Sequence, residues 1–199
     1  MNYPKTVLNI IECFKKFPGI GEKTAERMAL STLTMEEDVL NLFSKSLKDV
    51  KSKIKKCEKC GSLTEEEICD VCKDESRDHS VLCVVEECKN VILFEKIGSF
   101  RGIYHVLGGL ISPLEGINPE DIHINDLINR IEKENIKEVI LAIKPSVEGE
   151  TTSLYISKML DGKDVKVSKI AHGIPMGADI DYIDPLTLEM AIEDRREIS

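Results

Sequence analysis

The sequence predicts a multi-part α + α/β chain: a helical N-terminal part, a small four-cysteine metal module, a mostly parallel α/β sheet and a C-terminal helix. Three observations carry that prediction. Four of the seven cysteines stand as Cys57-Glu58-Lys59-Cys60 and Cys69-Asp70-Val71-Cys72, which reads C-x2-C-x8-C-x2-C. Ahead of them, apolar residues recur at helical spacing. Behind them, short apolar runs of strand length alternate with helical stretches, the pattern of a sheet whose strands are buried on both faces.

The first helix is read over residues 5–16, where Val7, Leu8, Ile11 and Phe14 form one stripe and Lys15 and Lys16 suit the C-terminal end of the helix dipole. It stops at Phe17-Pro18-Gly19. Gly19-Ile20-Gly21 then allows a tight turn, and Ala25, Met28, Ala29 and Leu33 open the next helix. Two readings follow from this spacing. Bare N–H groups at a helix N-terminus favour a phosphate, with Lys23 and Arg27 one turn apart on the same flank; equally, the glycines make a plain αα-hairpin. A Walker A loop is excluded, because no G-x4-G-K-[ST] is present. Thr34 followed by Glu37 predicts a capping box for a third helix, with Leu40, Phe43, Leu47, Val50 and Ile54 on one face. Its lysine-rich opposite face is read as solvated or as a phosphate contact.

The cysteine pairs predict structural zinc. Each C-x2-C turn aims two sulfurs at one point, and two such turns close a tetrahedral site. Beyond them, Ser80–Val85, Ile103–Leu107, Glu138–Ile143 and Val165–Ile170 read as strands, and helices are expected near 91–97, 123–135, 151–160 and 185–196. Residues 110–120 and 144–150 read as loop and turn. In such sheets function gathers at the strand C-terminal ends. Glu86, Glu148, Glu150, Asp179 and Asp181 follow those ends, and such carboxylates hold a divalent cation or attract a basic partner.

Composition bounds the function. With 199 residues, 42% hydrophobic and 32% charged, the chain can build one substantial core and one or two small modules. No apolar run is long enough to span a membrane, and the N-terminus enters an amphipathic segment with Glu12, Lys15 and Lys16, so a cytoplasmic protein is expected. The cysteine pattern suits a reducing compartment. The net charge is -9. Residues 1–60 carry 12 Lys and Arg against 8 Asp and Glu, which leaves 15 against 28 for the remainder. A basic end can therefore grip phosphates while the acidic remainder meets a cation or a basic partner.

With these pieces in order, the chain resembles the RecR family of bacterial recombination mediators over nearly its whole length. The residues that carry the resemblance are Phe17–Ala25, the four cysteines, Tyr104–Gly109 with Ile111–Ile117, Pro145–Glu150 and Ala171–Gly177. The resemblance implies a helix-hairpin-helix DNA-binding domain over 1–54, a four-Cys zinc finger over 55–76, a Toprim domain over 77–175 and a C-terminal segment with its helix over 176–199. It implies sequence-independent DNA binding through Gly19, Gly21, Lys23 and Arg27, and a ring-like homo-oligomer, dimer or tetramer, associated with the nucleoid. It further implies partnership with RecO and RecF in loading recombinase onto single-stranded DNA.

Toprim enzymes hold divalent metal with a strand-end Glu and an Asp-x-Asp pair. Glu86 matches the Glu, but Lys144 and Ser146 stand where the two Asp would be. That exchange predicts a docking surface for RecO, and no catalysis, at Glu86, Glu148, Glu150, Asp179 and Asp181. The alternative is a residual divalent-metal cluster, and with it a metal-dependent nuclease or nucleotidyl-transfer enzyme.

Overall fold

The protein is described by a computed structural model over residues 3–171 and 173–195. His172, within one of the family-like stretches, and Arg196, at the end of the expected terminal helix, lie outside the described residues. The chain divides into two units, Met1–Ile54 and Lys55–Ser199.

The first unit holds α1 (Lys5–Phe14), α2 (Glu22–Thr32) and α3 (Glu37–Lys53). Ile11 and Phe14 of α1 pack on Ala25 and Ala29 of α2, with Val7, Ile10, Ile20 and Met28 around them. The two alanines, one turn apart, bring the helices close, and each large side chain buried there contributes about 1.5–3 kcal/mol. Ile10 joins this contact where Leu8 was expected, and Leu8 is exposed.

One expectation for α3 fails. Its N-cap is Glu36, with no side-chain cap, because the Thr34 hydroxyl instead donates to the Ser31 carbonyl (3.1 Å) and finishes the turn after α2. The apolar face is present as expected, and no residue of α3 is buried.

The second unit opens with a two-stranded antiparallel ribbon, β1 (Lys55–Lys56) and β2 (Leu63–Thr64), and a short helix, α4 (Asp70–Lys73). A four-stranded parallel sheet follows, with β3 (Asp78–Val85), β4 (Gly102–Val106), β5 (Glu138–Ala142) and β6 (Lys166–Lys169) in the order β4-β3-β5-β6. Its connections run through α5 (Cys88–Ile97), α6 (Ile124–Lys133) and α7 (Val147–Met159). Strand alternation sorts the core: Leu82, Val84, Ile103, Val139 and Leu141 face Leu127, Ile131 and Ile156 of α6 and α7. Cys83, Val85, Tyr104 and Val106 face Val91 of α5.

From β3 the chain first crosses to β4 on one side, and later builds β5 and β6 on the other. The topological switch point therefore lies between the C-terminal ends of β3 and β5, the place where open α/β sheets present ligands. The segment 144–150, expected as a turn, is a helix start: Ser146 is the N-cap of α7, and its Oγ accepts from the Gly149 N–H at 3.2 Å. Glycine is required at 149, since a Cβ there would lie 2.0 Å from the Lys144 carbonyl oxygen. Residues 110–120 contain two short 3-10 turns, Pro113–Glu115 and Pro119–Asp121. The last helix, α8 (Pro185–Glu193), is capped by Asp184 and buries no residue.

Candidate metal centre and acidic sheet edge

Cys57, Cys60, Cys69 and Cys72 are all buried, and their sulfurs lie within 4.8 Å of one another. Zinc with Zn–S bonds of about 2.3 Å needs sulfurs roughly 3.8 Å apart, so the cluster has the right size. Backbone N–H groups of Ser62 and Cys69 point at Cys60 Sγ (3.4 Å) and Cys57 Sγ (3.3 Å), which favours thiolates. The first knuckle closes through the Gly61 N–H donating to the Cys57 carbonyl (2.8 Å), with Gly61 at φ +73° against the Val106 backbone. Four thiolates complete a tetrahedral shell and leave no position for substrate, so the zinc is structural. Cys83, by contrast, packs in the sheet, its thiol pushed up to about 12 by burial.

The five acids do not form a second such centre: among the described residues the four cysteines are the one group of metal-ligating atoms this close. Glu86, one residue past β3, receives the Lys144 ammonium from just past β5 (Nζ to Oε1, 3.3 Å). Glu148 accepts from the Ser146 hydroxyl at 2.8 Å. Its own backbone N–H and that hydroxyl hold its carboxyl below the usual range. Glu150 pairs with Lys169 of β6 at 3.1 Å. Asp179 Oδ1 accepts from the Asp181 N–H at 3.4 Å in a separate 3-10 turn. Glu86, Glu148 and Glu150 thus already have a cation or a hydroxyl from the protein itself.

At the hairpin, Gly19 has φ +79° and Gly21 is the N-cap of α2, with no side chain covering the first N–H groups of the helix. Lys23 and Arg27 are both exposed, and among the described residues neither forms an ion pair. Glu22 in the same first turn is engaged by Lys15 at 2.6 Å.

Sequence reasoning missed the polar residues that seat the zinc module on the sheet. Arg77 makes a two-pronged pair with Glu95 (3.0 and 2.5 Å), and Glu95 also accepts from the Tyr104 hydroxyl at 2.7 Å. Arg130 of α6 is almost fully buried and donates to the Tyr104 carbonyl at 2.7 Å. No local motif marks what either arginine does, because the contacts that matter, Arg77 to Glu95 and the Gly102 carbonyl and Arg130 to the Tyr104 carbonyl, join residues distant in sequence.

Four family models match this chain in order. RecR, helix-hairpin-helix, covers residues 7–51, and the RecR four-cysteine zinc finger domain covers 54–74. Toprim domain covers 80–171, and RecR, C-terminal, covers 173–196. The chain belongs to the RecR family. RecR domains in this arrangement carry a recombination-mediator role in DNA repair, and the helix-hairpin-helix points to DNA as a ligand. The Toprim match spans Glu86 and Lys144, and the zinc-finger match agrees with the buried thiolate cluster. Among the described residues no helix is long and apolar enough to cross a membrane.

Proposed function

We propose that this RecR-family chain is a DNA-binding mediator that performs no chemistry of its own. It grips DNA without regard to sequence through the backbone around Gly19 and Gly21, with Lys23 and Arg27 on the phosphates. It docks RecO on the surface of Glu86, Glu148, Glu150, Asp179 and Asp181, and with RecF it helps place recombinase on single-stranded DNA. A closed homo-oligomer suits a clamp, and the uncovered apolar faces of α3 and α8 support self-association.

The observation that carries the non-catalytic reading is the Lys144–Glu86 pair at the switch point. Metal-assisted phosphoryl chemistry needs a divalent cation held between carboxylates to clamp the attacking and leaving oxygens. Here an ammonium group sits on the one strand-end glutamate that would anchor it, and a dication arriving there meets like charge.

The test has two arms. In a salt-titrated gel shift, Lys23→Ala with Arg27→Ala weakens binding to every DNA sequence alike and lowers the salt slope by about 2, one for each lost phosphate contact. Wild-type affinity in the double variant would remove the hairpin assignment. With Mg2+ or Mn2+, DNA is neither cut nor extended; activity that vanishes in Glu86→Ala would overturn the non-enzymatic reading.

A further inference from the structure

We infer that Arg130 is a positioning residue that fastens the zinc module to the open edge of the sheet. β4 is an edge strand, so its outward backbone groups have no strand to pair with. Three of them are occupied nonetheless. Arg77 Nη1 donates to the Gly102 carbonyl (3.2 Å) and Arg130 Nη1 donates to the Tyr104 carbonyl. The Val106 N–H donates to the carbonyl of Cys60, itself a metal ligand, at 2.8 Å. The first knuckle therefore runs along β4 and continues its pairing.

Arg130 joins this arrangement to α6. Its Nε donates to Glu134 Oε2 at 2.9 Å, and Glu134 Oε1 lies 3.7 Å from the ammonium of Lys59, which stands between Cys57 and Cys60. A guanidinium that is 7% exposed needs anionic and carbonyl partners to be tolerated. Tyr104 supplies the carbonyl and Glu134 the anion, and Glu134 carries the link on to Lys59 in the first knuckle. Groups that brace the backbone of a metal-binding turn help orient its ligands and tune how tightly the metal is held. One arginine thus serves two partners, the edge carbonyl of Tyr104 and the Glu134 carboxylate that reaches Lys59.

The experiment uses the full-length, zinc-loaded protein and a colorimetric chelator. Arg130→Met releases zinc about 10- to 100-fold faster than wild type, the range expected when a group supporting a metal ligand is lost. Arg130→Lys keeps the charge without the planar fork and accelerates release by a smaller factor; it decides the matter should Arg130→Met fail to fold. Release from these variants at the wild-type rate overturns the proposal. Amide exchange on wild-type protein stripped of zinc supplies a readout free of mutation. Val106 loses its protection while Val139 and Leu141 of β5 keep theirs. Retained protection at Val106, or loss throughout the sheet, counts against a local fastening of the edge.

Discussion

His105 shows what a single buried group does to the behaviour of the fold. It is buried on β4, where Nε2 donates to the His123 carbonyl at 2.9 Å. Burial pushes its pKa down to about 4, against the opposing effect of that carbonyl. In the unfolded chain it titrates near 6.5, so below that pH the unfolded state takes up a proton that the folded state refuses. Stability from this residue is fully present above pH 6.5 and is lost as pH falls toward 4, by roughly 3 kcal/mol in total. Urea unfolding at pH 7, 5.5 and 4.5 should show this decline, and His105→Gln should flatten it; a wild-type profile already flat over that window would refute the assignment. The four cysteines were legible in the sequence because metal-ligand spacing is a local code. The exchange of Lys144 and Ser146 for two acids was legible too, since it sits inside a recognisable stretch. Arg130 was not, because its guanidinium meets the Tyr104 carbonyl of a strand 26 residues away along the chain.

At the scale of elements, α3 teaches the most. Periodicity correctly marks an apolar face on it, but a period says nothing of what covers that face. Leu42, Leu47 and Val50 are each half exposed or more. A cavity of about 230 Å3 beside the helix is lined by Phe14, Met28, Met35, Val39 and Phe43 among others. If a second copy covers this face, native mass measurement finds a species larger than 22.3 kDa, and Leu47→Glu shifts it to a smaller one without lowering the melting temperature of the isolated chain. A monomeric wild type over a wide concentration range would dismiss self-association. The strands were readable because continuous Val, Ile and Leu runs of strand length leave few alternatives, as in Val81–Val85. The start of α7 was misread because Lys144-Pro145-Ser146 carries turn residues. Only the structure shows that Ser146 turns its hydroxyl to the Gly149 N–H and makes those residues a cap.

For the whole molecule, the zinc centre decides how much of the second unit holds together. Cys60→Ala removes one of four ligands, and the Val106 N–H that the Cys60 carbonyl receives belongs to the sheet. Zinc content by elemental analysis should fall to near zero, and thermal unfolding of the sheet should come at lower temperature, while the α1–α2 contact, which draws on neither metal nor sheet, keeps its helical signal. DNA binding should decline as a consequence of that instability; full thermal stability with DNA binding lost would make the knuckles a contact surface instead. The order of the parts along the chain has a bearing on synthesis as well. Cys72 leaves the ribosome about 30 residues before Gly102, an interval of roughly 2 to 6 s at common rates of elongation. The piece that shields the outer strand is therefore complete, and able to take its metal, before that strand exists. An exposed β-edge is an invitation to pair with other nascent chains, and here the gene places its guard upstream of the hazard.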